Sequence, residues 1–249
     1  MSPFAVPDAM HIGIVGAGRL GSTLAVLLTR AGHTVQLCTR GVVPTAECDG
    51  VLLAVPDGAL AAVATQWSGP FPVLHCSGAL SVDVLRPLTP AGSFHPLMTF
   101  PGPDTAIPDL MGVAAVLDGD PEARIFGQSV ADALGMRVLG VPGDRRLYHA
   151  AAVISGNFAT VLLAHAAQVL QAAGVPGDLA GTALLPLALE SLRNAARDPA
   201  GSLTGPVARG DDAVVESHRD ALADVGLTDC LELYDNLTRA TRELHSGKA

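Results

Sequence analysis

The sequence predicts an α/β chain, a doubly wound and mostly parallel sheet over residues 10–142 followed by an all-α domain over residues 143–249. Three observations carry this expectation. A glycine-rich turn stands between a short apolar run and a helical apolar period at residues 12–28. Apolar runs of strand length then alternate with helical patterns as far as Leu139. After Val141-Pro142-Gly143-Asp144 the composition shifts, and every later segment reads as helix.

Residues 12–15 form the first run, a buried strand in pattern. Gly16, Gly18 and Gly21 complete G-x-G-x-x-G, and Leu20, Leu24, Leu27 and Leu28 keep a helical period up to Gly32. Gly16 lets the strand turn sharply, Gly18 lets backbone approach a pyrophosphate, and Gly21 lets the helix pack close to the strand. The helix N-terminus adds unpaired N–H groups and the positive end of a dipole. Glycine turns alone are common. Here a strand precedes the turn, a helix follows it, and a second strand at residues 34–37 closes a βαβ unit, the context of the Rossmann dinucleotide fingerprint. Gly16, Ala17, Gly18, Arg19, Leu20 and Gly21 are therefore the expected phosphate-binding residues.

An NAD site places Asp or Glu about 20 residues beyond the glycines, on the ribose 2′-hydroxyl. The second strand ends Leu37-Cys38-Thr39-Arg40-Gly41, without an acid. Thr39 can hydrogen-bond a 2′-phosphate, and Arg40 can pair with it or stack on the adenine, unless Arg40 is simply a solvated loop arginine. NADP (as NADPH) is the expected cofactor.

The stretch 41–48 is too short for a crossover helix and contains Pro44. A strand at 50–55 ends at Pro56-Asp57-Gly58, and ligands of doubly wound sheets lie off the carboxyl ends of strands. Val55 and Pro56 should thus border the cofactor. A helix at 59–67 leads to a strand at 72–75, whose end at Cys76-Ser77-Gly78-Ala79 brings Ser77 to the same edge. Ser81 or Asp83 can start a further helix. Strands at 93–95 and 112–117 flank a Pro/Gly-rich loop, and a helix at 121–134 with a strand at 137–139 completes the α/β part. Helices are expected thereafter at 144–173, at 178–198 with a kink or break at Pro186, at 211–223 and at 228–244.

The net charge of −9, without a basic block, argues against nucleic acid and anionic membrane surfaces. No uncharged run has both the length and the flanks of a membrane span, and the first ten residues lack the basic start of a signal peptide. Cys38, Cys48, Cys76 and Cys230 form no C-x-x-C pair and no metal-ligand spacing, so reduced thiols and no metal are expected. These features suit a cytoplasmic protein acting on a small molecule.

Three further segments carry candidate chemistry. The helix beginning near Arg146 is apolar almost all round, as for a helix buried against its own domain or a second subunit. At about 100° per residue, its polar exceptions His149, Asn157 and Thr160 fall within about 80° of arc. They form either an internally satisfied stripe or a face on the interdomain cleft. His95 stands in Ser93-Phe94-His95-Pro96, where the proline holds it extended at a strand end. A histidine there can serve as general acid or base toward a carbinol, or be a structural loop residue. His75, within a strand pattern, reads as structural. Arg209, in Leu203-Thr204-Gly205-Pro206-Val207-Ala208-Arg209-Gly210-Asp211, lies beside a helix start. It can clamp a substrate anion with Thr204 nearby, or pair with Asp211, Asp212 or Glu216.

Over nearly its whole length the chain resembles the Rossmann-like NADP oxidoreductases with a C-terminal helical domain of unassigned function, of the 6-phosphogluconate dehydrogenase C-terminal-like kind. The matching pieces are the turn at residues 16–21, Ser77-Gly78-Ala79, Ser93-Phe94-His95-Pro96, Tyr148-His149-Ala150-Ala151 with Asn157, and Leu203-Thr204-Gly205-Pro206 with Arg209-Gly210-Asp211. Distant relatives are prephenate dehydrogenase, ketopantoate reductase, pyrroline-carboxylate reductase and the 3-hydroxyacid dehydrogenases. The His95-Pro96 pair is similar to the catalytic His-Pro of prephenate dehydrogenase. The ketopantoate and 3-hydroxyacid enzymes use a Lys with an Asn one turn later, whereas here the corresponding position is His149 and Asn157 lies two turns on. The resemblance implies an NADP-binding first domain followed by a helical domain; this second domain is expected to close the active-site cleft, and the apolar run over residues 150–170 predicts that it forms a homodimer. The resemblance also implies hydride transfer to a small carbonyl, alcohol or imine substrate such as a 2-keto acid. His95 or His149 would exchange the proton, Asn157 would orient the substrate, and Arg209 would take its carboxylate. A non-catalytic NADP-responsive sensor is the alternative.

Overall fold

The computed structural model describes residues 9–39, 42, 44, 47–66, 69–102 and 105–247. The chain divides into two compact units, Met1–Gly156 and Asn157–Ala249.

The first unit is built on a seven-stranded sheet in the order β2-β1-β3-β4-β5-β6-β7. The strands are β1 (His11–Val15), β2 (Thr34–Cys38), β3 (Gly50–Leu53), β4 (Val73–His75), β5 (Ala91–Pro96), β6 (Ala114–Gly119) and β7 (Arg137–Leu139). All neighbouring pairs are parallel except β5 with β6. The chain leaves β1 for β2 on one side and returns to β3 on the other, which makes the end of β1 the topological switch point. Because β1 to β5 run in one direction, Gly16, Thr39, Val55, Ser77 and His95 all belong to the carboxyl edge of the sheet.

Strand alternation divides the core between the two faces of the sheet. Ile12, Ile14, Leu52 and Leu74 pack with Leu24 and Leu28 of α1 (Arg19–Arg30) and with Phe126 and Val130 of α3 (Pro121–Ala133). Val15, Val51, Leu53 and Val73 pack with Leu60 and Ala64 of α2 (Leu60–Thr65) and with Val82 and Leu85. Each fully buried leucine contributes about 1.5–3 kcal/mol. The helix expected from Ser81 or Asp83 is only a 3₁₀ turn, Val82–Leu85. Pro87 and Pro90 follow at once, and neither can continue a helix.

Asp144 caps α4 (Arg145–Val153), its carboxylate accepting from the Arg146 N–H at 2.8 Å. A five-residue π turn, Ile154–Phe158, then joins α4 to α5 (Ala159–Ala172). A π turn holds one residue more than an α turn and sets everything beyond it back by roughly 100°, so the arc calculated for a continuous α-helix does not apply to Asn157 and Thr160. The compact division falls at this turn, one helix beyond Val141-Pro142-Gly143-Asp144, and α4 goes with the sheet. The helical run Arg145–Ala172 is 28 residues long with mean hydropathy 1.5 in its most apolar window, none of which is buried within the chain. By length and composition alone this run could cross a membrane, which the flanks in the sequence argued against.

The second unit contains α5, α6 (Gly177–Ala195), α7 (Pro206–Arg209), α8 (Asp212–Asp224) and α9 (Thr228–His245). Pro186 lies inside α6 without ending it. Its position is exposed, so water can serve the carbonyl that loses its partner. Arg219 of α8 ties to α9 through Asp235 at 2.7 Å and also holds Glu216 at 2.9 Å. Between α5, α8 and α9 lies an apolar cavity of about 680 Å³, lined by Leu162, Val169, Leu222, Leu233 and Leu237 among others. Cys230 at its wall places Sγ 3.3 Å from His165 Nδ1, and all four cysteines are free thiols.

Candidate functional site

The glycine turn has the geometry that its spacing predicts. Gly16 adopts φ +110°, and a Cβ there would stand 2.4 Å from the Ala54 carbonyl oxygen of the neighbouring strand connection. A Cβ on Gly21 would stand 1.9 Å from the Gly16 carbonyl oxygen. Gly18 is different: nothing lies within 4 Å of where its Cβ would be. Packing therefore requires glycine at 16 and 21, while the open face at 18 is a cradle that a side chain would fill. Gly18 is also the N-cap of α1 and supplies no side-chain cap, leaving the first N–H groups of the helix to a ligand. No acidic residue occupies that first turn. The residues present fit a pyrophosphate.

The other expected nucleotide contacts distribute around this turn. The Gly16 N–H donates to the Cys38 carbonyl at 2.9 Å, which fixes the end of β2 and the exposed Thr39 beside the turn. Val55 Cγ1 would be 3.2 Å from a Cβ on Gly16, so Val55 borders the turn, with exposed Pro56 following. Arg19 is exposed, and its side chain reaches toward Gly102 on the loop after β5. Arg40 lies outside the described residues. Ser77 is buried, and its hydroxyl accepts from the N–H groups of Ala79 and Leu80 at 3.2 and 3.1 Å. That hydroxyl shapes the turn after β4.

A second group of side chains gathers at the same edge of the sheet. His95 at the end of β5 places Nδ1 2.5 Å from the Tyr148 hydroxyl of α4, their rings edge to face. His149 approaches from the next position on α4, its ring centroid 6.4 Å from that of His95. Both imidazoles close over Gly78, where a Cβ would stand 2.8 Å from His95 Nε2 and 2.8 Å from His149 Cδ2. Glycine at 78 is what gives the two rings room. Arg145 anchors α4 to the sheet by donating to Ser93 Oγ at 2.9 Å and to the Ser77 carbonyl at 3.0 Å. Its hydrogen bonds go to neutral groups, and its Nε is buried without a partner.

This arrangement sets the protonation of the histidines. Burial first, and then electrostatic interactions with the neighbouring His149 and Arg145, push His95 down to about 4 against an opposing effect of Asp57. Burial and Arg145 likewise push His75 down to about 4, and its Nδ1 accepts from the Ser77 N–H at 3.2 Å. His75 is fully buried and structural in its contacts. Burial raises the Tyr148 phenol, with Arg145 opposing.

The structure thus brings His95 and His149 together and adds Arg145, with Tyr148 and Gly78 from the matching segments, none of the three among the candidate site residues of the sequence. A signal for them existed. Arg145, Tyr148 and His149 are related by three and four residues, one face of a helix. Asn157, Thr204 and Arg209 belong to the second unit, all three exposed. Asp211 caps α8 through the Val214 N–H, Asp212 pairs with Arg242, and Glu216 pairs with Arg219. Two of the three acids considered for Arg209 are thus committed to other arginines, and the third to a helix cap.

A switch-point glycine loop at one end of a mostly parallel sheet, followed by a helical unit, defines a Rossmann-like chain of the dinucleotide-binding type. The model of the domain of unknown function DUF2520 matches residues 113–241. The chain belongs to that family. Its fold is similar to that of BF3122 from Bacteroides fragilis, provisionally described as an NADP oxidoreductase, with a TM-score of 0.77, 24% identity, and coverage of 96% of this chain and 100% of that one. The 1-pyrroline-5-carboxylate reductase of Streptococcus pyogenes aligns with a TM-score of 0.63 at 16% identity, over 94% of this chain and 99% of that one. In sequence, a glycerol-3-phosphate dehydrogenase (NAD(P)+) of Azorhizobium caulinodans is 29% identical over 70% of this chain and 64% of its own length. The chain therefore spans less than two thirds of that curated relative.

Proposed function

We propose that this protein is a cytoplasmic NADP-dependent oxidoreductase that transfers a hydride between the nicotinamide and a small carbonyl, alcohol or imine substrate. The observation that carries the reading is the sharing of one sheet edge by an open glycine cradle and a cluster of two histidines and a tyrosine. The cradle would hold the pyrophosphate at the N-terminus of α1, and the bound cofactor would supply the hydride. The chain's own part is to position the substrate and handle its proton at His95 and His149. The oxidoreductases among its relatives and structural neighbours support the same class. Titration with NADPH and NADH, followed by a screen of small keto acids, hydroxy acids and imines for a change in NADPH absorbance, tests the reading. Binding without turnover of any substrate would favour a sensor instead.

Cofactor choice rests on Thr39 and Arg40. Arg40→Asp is expected to weaken NADPH binding by about 1.5–3 kcal/mol, through a lost charge-assisted pair and a new repulsion, and to spare NADH. Calorimetric titration of both cofactors decides it, and equal losses would remove the 2′-phosphate assignment.

The second unit is proposed to pair with a second copy of itself. None of the 14 residues of α5 is buried within the chain, and Val161, Leu162 and Val169 expose apolar surface, the last two lining the cavity. Adjoining α6 exposes Leu185, Leu187, Leu189 and Leu192. Monomeric proteins rarely leave so much contiguous apolar surface in water. Against a membrane span stands Arg145, whose bonds to Ser93 and Ser77 tie the first turn of the run to the sheet. Light scattering should give about twice the 25.3 kDa chain mass. A concentration-independent monomer would reject the dimer.

A further inference from the structure

His95 is held between two neighbours that differ in what they offer its nitrogens. Tyr148 Oη lies 2.5 Å from Nδ1, while the Nε2–Cε1 edge faces Gly78, which has no side chain to give. A neutral imidazole carries one N–H and one lone pair, and the partner of one nitrogen decides which form exists. A phenol O–H is a stronger donor than an imidazole N–H, and an imidazole nitrogen a stronger acceptor than a phenol oxygen. Tyr148 therefore donates to Nδ1, and the ring proton sits on Nε2. Arg145 stands beside both rings, hydrogen-bonded to neutral acceptors with the Asp118 carboxylate offsetting part of its charge, and its effect on His95 disfavours a doubly protonated imidazolium.

We propose that Tyr148 is a positioning residue that fixes His95 in its Nε2–H tautomer, so that neutral His95 meets the substrate as a hydrogen-bond donor, and that the acceptor is the oxygen of a carbonyl undergoing reduction. This rests on the hydride-transfer reading and narrows it. A carbonyl oxygen has lone pairs for Nε2–H. A protonated imine nitrogen has none and would meet a donor with a donor. A bound reduced nicotinamide would supply the hydride to the carbonyl carbon; the C=O π pair would then move to oxygen, and that oxygen would take the Nε2 proton. The imidazole electron pair released at Nε2 is compensated as Nδ1 takes the Tyr148 proton, so His95 ends neutral in the opposite tautomer. The products would be the alcohol, the oxidised nicotinamide and a Tyr148 phenolate. The phenolate faces the Arg145 charge, and water restores its proton.

The test uses the whole protein and Tyr148→Phe, which removes one oxygen and keeps the ring. In ¹⁵N spectra of the histidine side chains, assigned with His95→Asn, wild-type His95 should show a bare Nδ1 and a protonated Nε2. Y148F should show a mixture of both forms, with its circular dichroism unchanged. With a carbonyl substrate, Y148F should lower kcat by about 10–100-fold and leave the NADPH KM within about threefold. Its rate should rise as pH falls toward 5, because an imidazolium must then supply the proton, whereas the wild-type rate stays level there. The groups facing His95 in that range are His149, Arg145 and Tyr148 of α4, His75 of β4, and Asp57 after β3. A proton on Nδ1 in the wild type, or a Y148F variant with unchanged tautomer and pH profile, overturns the inference and leaves hydride transfer standing. Oxidation of NADPH by imines alone overturns the carbonyl assignment. NADPH binding with no turnover overturns the hydride-transfer reading itself, whatever the tautomer.

Discussion

His95→Asn is expected to lower kcat by about 10²–10⁴-fold, the worth of a positioned proton-transfer group, with NADPH affinity held within about threefold. The two effects separate because the glycine turn and His95 belong to different strands, β1 and β5, and no described bond of His95 involves the turn. Asn keeps polarity at the site but offers no ring to join Tyr148 to a substrate. His149→Asn is the companion variant. His149 lies 6.4 Å from His95 by ring centroid over the same glycine, so it is the competing proton donor. The variant with the larger fall in kcat identifies the group that exchanges the proton. Full kcat in both would show that the pair is structural, and a loss of several degrees in Tm without a kinetic effect would place the affected histidine in the core.

How far the sequence could be read depended on the range of the forces involved. Strands, their edge and the glycine turn follow from short-range rules, apolar runs of four to six residues and glycines at fixed spacing. The described turn keeps those roles, with Gly16 and Gly21 excluded from any other residue by backbone oxygens. His95 was legible because Pro96 restrains it. The roles of Tyr148, known only as part of a matching segment, and of Arg145 are not legible in the sequence because they depend on what β4 and β5 bring to α4, some fifty residues away in the chain for the bond from Tyr148 to His95. Ser77 stands at the expected edge, where its hydroxyl also closes its own turn. The stripe of His149 and Asn157 rests on 3.6 residues per turn, and no rule of periodicity announces a π turn at Ile154–Phe158. The 2′-phosphate assignment keeps Thr39 within the described residues, while Arg40 stands outside them.

The two neutral histidines also make stability depend on pH, with a sign that follows from their burial. His75 and His95 are pushed from 6.5 to about 4 in the folded chain, chiefly by burial. In the unfolded chain each takes a proton below about 6.5. Between those limits the unfolded state holds more protons than the folded one, so folding stability rises with pH across the window. The contribution is fully present above about pH 6.5 and is lost as pH falls toward about 4. At 1.36 kcal/mol per unit each histidine contributes up to about 3 kcal/mol, His75 the more fully because none of it is exposed. Carboxylates act elsewhere. Asp120, held down by Arg86 and the Ala91 N–H, and Asp144, held at about 2 by Arg146, lose their stabilisation only below their unfolded value of 3.8. Thermal melts from pH 7.5 to 4.5 therefore read the histidines. Domains of this size have total stabilities of about 5–15 kcal/mol, so the wild-type Tm should drop by well over ten degrees across that range. His75→Asn keeps an acceptor for the Ser77 N–H but cannot be protonated, and it should remove about half of the slope while lowering Tm at pH 7.5. A wild-type Tm that stays level from pH 6.5 to 4.5 would show that both imidazoles charge freely in the folded protein, and with that the neutral donor at His95 would fall as well.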